Sequence, residues 1–364
     1  MIARASVLRG FGEPLRVEEL TVPALEEGEV LVRVLAAGVC GTDLHIWRGI
    51  DPRTPLPLIP GHEGVGRIEA IAGKKGDVEG RSLKEGDLVI WNRGVTCGKC
   101  YWCRMGGEQR ALCPNRWAYG IHHSCFERPF LNGCWAQLLV LHPNTDIIRI
   151  EEEVEPWVLV AASCSGATAA HCFDLVTPRE GETVVVMGPG PLGLFCVAFA
   201  KHFRAGTIVL VGGTQARLHL GERLGATHII SRHQTQAEER RDMIMQITGG
   251  RGADLLIDTS GNLGAHREGF GLVRIGGAYL SVGFATPVGE MEFLPFEQVA
   301  RKNLRYQGVW VSGTEHLRMA VDLVLRNRGA FAEMVSDRLP LEGANEALEK
   351  MREKASLKIV LEPQ

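Results

Sequence analysis

Apolar and polar positions follow two different rhythms along the chain. In the first part the apolar residues come in short alternating runs. "EVLVRVLAAGVC" alternates apolar and polar side chains before a turn, as a half-buried strand does, and "EGVGRIEAI" and "LKEGDLVIW" repeat the pattern. Gly and Pro break these runs densely, as in "DPRTPLPLIPGHEG". The pattern predicts a mainly β region, a distorted barrel. After about residue 155 the rhythm changes. Apolar strands "TVVVMG", "TIVLVGG", "THIIS", "GADLLIDTSG" and "GAYLSVG" alternate with helical stretches "PLGLFCVAFAKHF", "ARLHLGERLG", "QAEERRDMIMQIT" and "HREGFGLV". Strands alternating with helices predict a parallel, doubly wound sheet. Past residue 300 the text is mixed again and ends in a helix and a strand within "ANEALEKMREKASLKIVLEP". The expectation is an α/β protein with two domains: a mainly β one from 1–156 and 300–364, and a doubly wound one over 157–299. No internal repeat or low-complexity tract is visible.

A length of 364 residues supports two domains with cores of their own. The formal net charge is −3 and the basic residues are scattered, so neither a nucleic-acid nor a membrane partner is expected. The start of the chain has no apolar signal region. The most apolar stretch, 184–200, is interrupted by Gly and Pro and reads as a buried strand, turn and helix rather than a membrane span. A cytoplasmic location is expected. There are ten cysteines, four of them at 97, 100, 103 and 113. In a reducing compartment, clustered cysteines bind metal or do chemistry more often than they form disulfides.

The strand "TVVVM" runs into Gly188-Pro-Gly190-Pro-Leu-Gly193 and then a helix. A G-x-G-x-x-G between strand and helix is the dinucleotide-binding arrangement. Gly188 permits the tight turn, Gly190 lets a pyrophosphate approach the backbone, and Gly193 lets helix pack on strand. NAD binders usually carry an acid at the end of the second strand to hold the ribose hydroxyls. Here Gly212 stands there. Nothing at that position repels a 2′-phosphate, and Thr214 and Arg217 can contact one. Arg217 reads equally as a solvated residue of a first helical turn, so NAD and NADP both stay open.

"CGKCYWCRMGGEQRALC" is C-x2-C-x2-C-x9-C. Four thiolates close a tetrahedral zinc shell, which makes this ion structural. Cys125 and Cys134 compete for the fourth place; Cys113 is preferred because its loop is shorter. A second cluster lies earlier. "GVCGTDLHIWRG" and "PGHEGVG" bring Cys40, Thr42, Asp43, His45, His62 and Glu63 within a short span. A catalytic zinc typically keeps three protein ligands and one open position. Cys40 and His62 supply two, and Cys164 in "VAASCSGATAAH" is the candidate third. Taken singly, Cys164 reads as a small buried hydrophobe and His62 as a core histidine; the combination makes the metal reading.

At this point the chain resembles the zinc-dependent medium-chain alcohol and polyol dehydrogenases. "GVCGTDLH", "GHEGVG", "CGKCYWC", "CSGATA" and "VVVMGPGPLGL" come in that family's order and near its spacings, across essentially the whole chain. The resemblance implies a Rossmann domain with a GroES-like catalytic domain, two zinc ions per chain, NAD or NADP, a small alcohol or polyol substrate, and a homodimer or homotetramer. It implies Cys40, His62 and Cys164 as catalytic zinc ligands and Glu63 as an acid beside the metal. It makes Asp43 the carboxylate orienting the histidine, Thr42 the hydroxyl that takes the substrate proton, and His45 the relay. Thr168 and Leu192 would press the nicotinamide, and Lys358 would lie near the pyrophosphate. Cys97, Cys100, Cys103 and Cys113 match the structural lobe. "GGAYLSVGF" is the candidate edge for subunit pairing.

The substrate is harder to read. Trp47, Trp91, Arg93 and residues of 116–134 are candidate pocket walls. Arg93 would face an anionic or polyhydroxy substrate, or serve as a surface ion-pair partner. Two other functions share part of this pattern: a zinc-free enone or quinone reductase of the same superfamily, and a non-enzymatic zinc- and nucleotide-binding redox sensor. The Cys40, His62, Cys164 set speaks against the first, and Thr42 with His45 against the second.

Overall fold

The computed structural model describes residues 1–364, the side chain of Glu108 excepted. Contacts divide the chain into two units, Met1–Ala167 with Ser312–Gln364, and Thr168–Val311. Among the described residues no single helix is long and apolar enough to cross a membrane.

The first unit is built on a sheet ordered Val335–Pro340, Lys358–Glu362, Val30–Val39, Gly64–Ile71, Leu88–Trp91, Ile147–Ile150, with Leu138–Leu141 also paired to Val30–Val39. All pairings are antiparallel except the first, between the two C-terminal strands. The strand Val30–Val39 is the hub. Arg33 is its single exposed residue, because partners flank it on both edges and core side chains pack on it. Its register positions the chemistry. Val39 faces Ile359 on one side, and Ala37 faces Gly64 on the other. Cys40, Lys358 and Glu63 therefore sit at one end of three adjacent strands. Glycine at 38 makes this approach possible: a Cβ there would lie 2.0 Å from Glu63 Oε2.

The second unit is a six-stranded parallel sheet ordered His228–Ser231, Thr207–Gly212, Thr183–Met187, Ala253–Asp258, Val273–Ser281, Arg305–Gly308. In sequence this order is 3-2-1-4-5-6, the doubly wound dinucleotide-binding arrangement. Thr183–Met187 is buried throughout, as a central parallel strand covered on both faces must be. The order corrects the expected edge. Val273–Ser281, which contains most of "GGAYLSVGF", lies inside the sheet, and Arg305–Gly308 forms the edge. The sequence "RYQG" carries no apolar run and is largely exposed, so periodicity could not mark it as a strand.

Two segments fall differently from the rhythm of the sequence. Residues 157–167 pack with the first unit, because Pro156–Leu159 and Val160–Ser163 lie on the strands Val30–Val39 and Gly64–Ile71. Residues 300–311 go with the second unit, because they carry its last parallel strand.

Candidate metal centres and nucleotide site

Cys40 caps the short helix Gly41–Trp47 at the end of the hub strand. His62 and Glu63 lead into Gly64–Ile71, and Cys164 follows the turn Val160–Ser163. One ligand atom from each of Cys40, His62, Glu63 and Cys164 lies within 4.8 Å of all the others. Asp43 accepts the Cys40 backbone N–H at Oδ2 (2.8 Å), while its Oδ1 stands 3.3 Å from His62 Nδ1. That leaves Nε2 of the imidazole turned to the cluster, as a carboxylate-oriented metal histidine requires. Glu63 is fully buried; Lys358 Nζ holds its Oε2, and its Oε1 has no hydrogen-bond partner.

The electrostatics favour a cation. A hydrogen bond from Cys164, with His62 and Lys358 nearby, holds the Cys40 thiol well below its ordinary value. Burial disfavours a charged His62, yet Asp43 and Cys40 lift it to about 10. An orphaned carboxylate oxygen, an acidic thiol and an oriented histidine together fit zinc.

Thr42 Oγ1 lies 3.9 Å from Cys40 Sγ. His45 is three residues further along the same helix, on the face shared by i and i+3. Burial lowers its pKa from the ordinary imidazole value.

The four-cysteine lobe hangs on a two-stranded ribbon, Gly94–Val95 against Trp117–Ala118. Sulfurs bound at about 2.3 Å to one tetrahedral ion lie about 3.8 Å apart. Here Cys100 and Cys103 are 3.5 Å apart, Cys97 and Cys113 3.6 Å, and Cys97 and Cys103 4.0 Å. These spacings fit a tetrahedral zinc shell. Backbone N–H groups of Lys99 and Cys100, with Asn115, pull Cys97 down to about 6. Cys125 and Cys134 are buried elsewhere and stand outside the cluster.

In the second unit the three glycines of the loop do different things. Gly188 has φ of 109°, a conformation that favours glycine. A Cβ on Gly193 would lie 1.8 Å from Gly188 O, so helix and strand pack only through glycine there. A Cβ on Gly190 would meet nothing within 4 Å, which leaves open space at the helix N-terminus. Thr259 Oγ1 donates toward the carbonyls of Met187 (2.8 Å) and Gly188 (2.9 Å) and pins the turn. Those features fit a pyrophosphate. At the end of the second strand, a side chain on Gly212 would collide with Pro189 Cγ at 2.3 Å. The next glycine, Gly213, is covered by His233 and Arg232, whose side-chain nitrogens lie 2.7 and 2.9 Å from where its Cβ would be.

The alcohol dehydrogenase GroES-like domain family matches residues 26–152, and the zinc-binding dehydrogenase family matches residues 191–326. The chain is 32% identical to 5-exo-hydroxycamphor dehydrogenase of Pseudomonas putida, over 99% of this chain and 98% of that protein. Among solved structures, an alcohol dehydrogenase of Thermotoga maritima is 44% identical, with a TM-score of 0.97 and full coverage of both chains. The chain belongs to the zinc-dependent medium-chain alcohol dehydrogenases. This dehydrogenase is an oxidoreductase of CH–OH groups that uses zinc and a nicotinamide cofactor. A zinc-binding dehydrogenase of Sinorhizobium meliloti, bound to NADP, is 25% identical with a TM-score of 0.85, covering both chains fully.

Other expected site residues fall as follows. Lys358 is 2% exposed; besides Glu63, its Nζ donates to Val39 O (3.3 Å). Trp91 is a core residue rather than a pocket wall, packed against Gly64, where a Cβ would lie 2.5 Å from its ring. Trp47 donates its indole N–H to Glu13 O (2.7 Å). Arg93 is no surface ion-pair partner: it is 8% exposed, and Nη1 donates to Ser163 O (3.3 Å). The sequence reading did not single out Arg116, His122, Arg232 or His233. For the last two the signal existed: a basic pair directly after the third strand, opposite a second strand that ends without an acid.

Proposed function

We propose that this dehydrogenase holds two zinc ions, a catalytic one on Cys40, His62 and Cys164 and a structural one on Cys97, Cys100, Cys103 and Cys113, and oxidises a primary or secondary alcohol or polyol with NADP. The observation that carries this reading is the convergence of Cys40, His62, Glu63 and Cys164 around an unpartnered Glu63 oxygen. When bound, zinc supplies Lewis-acid stabilisation of the substrate oxygen and the nicotinamide supplies the hydride acceptor.

The chain's own residues do the rest. Asp43 fixes both the Cys40 amide and the His62 ring, so the ligand geometry is set before substrate arrives. Thr42 Oγ1 takes the hydroxyl proton of the substrate, and His45 passes it outward. Burial keeps His45 neutral at neutral pH, which leaves a ring nitrogen able to accept. Lys358 balances the carboxylate of Glu63. Gly188, Gly190 and Gly193 shape the pyrophosphate cradle, and Thr168 and Leu192 press the nicotinamide. Arg232 and His233, beside Gly212 and Gly213, favour a 2′-phosphate, with Thr214 and Arg217 following in the chain. Subunits pair through the edge strand Arg305–Gly308, in which Tyr306 (42%) is exposed, with Trp310 (48%) exposed just after it.

The test combines metal analysis with an alcohol panel run with NAD and NADP. Two zinc ions per chain and alcohol-dependent NADPH formation support the reading. One zinc with enone reduction points instead to the reductase, and two zincs without turnover to the sensor.

A further inference from the structure

Two arginines flank opposite ends of the ribbon at the base of the cysteine lobe, and the side chain of Arg116 folds back along it to Gly94, the neighbour of Arg93. Arg93 directly precedes the strand Gly94–Val95, and Arg116 directly precedes its partner Trp117–Ala118. Arg93 is buried, with Nη1 on the Ser163 carbonyl that leads into Cys164. The Arg116 guanidinium lies so near Gly94 that a Cβ there would be 2.0 Å from Nε, so glycine is what admits it. Arg116 Nη2 is shielded from water and has no hydrogen-bond partner among the described residues. His122 accepts the Ala118 backbone N–H at Nδ1 (3.0 Å), which leaves the hydrogen on Nε2; that nitrogen too is buried without a partner.

Among the described residues no carboxylate pairs with Arg93 or Arg116. Asp51 is taken by Arg53 (2.6 Å), Asp146 by Thr314 (2.5 Å), and Glu63 by Lys358. Burial and the charge of Arg93 pull Arg116 down to about 9. Two unmatched guanidinium groups in a dry ribbon are costly unless an anion joins them. Their planar forks match a carboxylate or a phosphate.

We propose that Arg93, Arg116 and His122 bind a carboxylate or phosphate group carried by the alcohol substrate. This rests on the dehydrogenase reading above and names its substrate class: a hydroxy acid, a sugar acid or a phosphorylated polyol. The rival role for the arginines is to balance the thiolates of Cys113 and Cys164, both of which act on Arg116.

The test measures kcat/KM of the zinc-loaded enzyme on matched sets with equal carbon count: a polyol, its aldonate and its phosphate. The aldonate and phosphate arms separate the two anions. The wild type should favour one anionic member at least tenfold over the neutral one. In R93Q and in R116Q that ratio should fall at least tenfold, mainly through KM, with R93K recovering part of it. An unchanged ratio, or loss of zinc with the ratio intact, overturns the proposal in favour of charge balance. If no alcohol is oxidised, the dehydrogenase reading itself fails. Calorimetric binding of acetate and of inorganic phosphate then decides the anion site: binding by the wild type that R93Q loses upholds it, and no binding by the wild type overturns it.

Discussion

Replacing Lys358 with Met tests whether the ion pair behind the metal cluster is integral to the first unit. Lys358 and Glu63 are 2% and 0% exposed, and the pair closes three adjacent strands at one end. Among the described residues the other Glu63 oxygen has no hydrogen bond. Methionine would fill the lysine volume but strand the carboxylate. Breaking a buried pair from one side typically costs about 3–5 kcal/mol, because an uncompensated charge stays inside. Loss of the lysine donor to Val39 O belongs to the same figure. The assay is urea unfolding of apoprotein followed by tryptophan fluorescence. Every tryptophan but Trp310 lies in the first unit, so the signal reports that unit. The double variant K358M/E63Q should recover at least half of the loss, since it removes the stranded charge. A loss below about 1 kcal/mol in K358M, or costs that simply add in the double variant, would refute the reasoning.

Four further outcomes are expected. Thr42→Ala should lower kcat by about 10²–10⁴-fold while zinc content stays at its wild-type value by atomic absorption. Gly193→Ala places a methyl 1.8 Å from Gly188 O, so NADPH affinity, read by fluorescence titration, should drop by more than tenfold. Arg232→Ala should weaken NADPH binding about tenfold more than NADH binding; equal losses would remove Arg232 from 2′-phosphate recognition. Burial and Arg53 hold His122 down at about 4, against roughly 6.5 in the unfolded chain. The unfolded state therefore takes up the proton first. The stability that neutral His122 contributes is complete above pH 6.5 or so and is lost as pH falls toward 4, and H122Q should flatten that slope in urea titrations.

What could be read from the sequence, and what could not, divides by physical cause. The glycine loop and the cysteine lobe were legible because close backbone approach and thiolate coordination demand specific residue types at fixed spacings. Gly188, Gly190 and Gly193 occupy three different steric situations, each of which the motif implies. Loop length favoured Cys113 over Cys125 and Cys134, and the fold brings its sulfur to 3.6 Å from Cys97. The doubly wound sheet was visible through its buried apolar strands. Its edge was not, because Arg305–Gly308 is exposed and polar, and its pairing is made by backbone groups that any residue supplies. The buried state of Arg93 was equally hidden. Composition cannot tell a solvated arginine from one enclosed by a ribbon whose partner strand lies more than twenty residues away in sequence.

One strand links these observations. Val30–Val39 carries Cys40 at its end, Lys358 beside it through the pairing with Ile359, and His62 and Glu63 beside it through the pairing with Gly64. A slip of one residue in either pairing would turn the cluster's side chains to the opposite face. Register is therefore a functional quantity here, and its safeguards are local. Gly38 admits the Glu63 carboxylate, and a Cβ on Gly66 would collide with Arg33 O at 2.3 Å. At both positions a methyl group meets a neighbour before any ligand is in place. Cys40, His62 and Glu63 are thus brought together by strands whose tightest contacts favour one alignment, and Cys164 joins them from the turn Val160–Ser163.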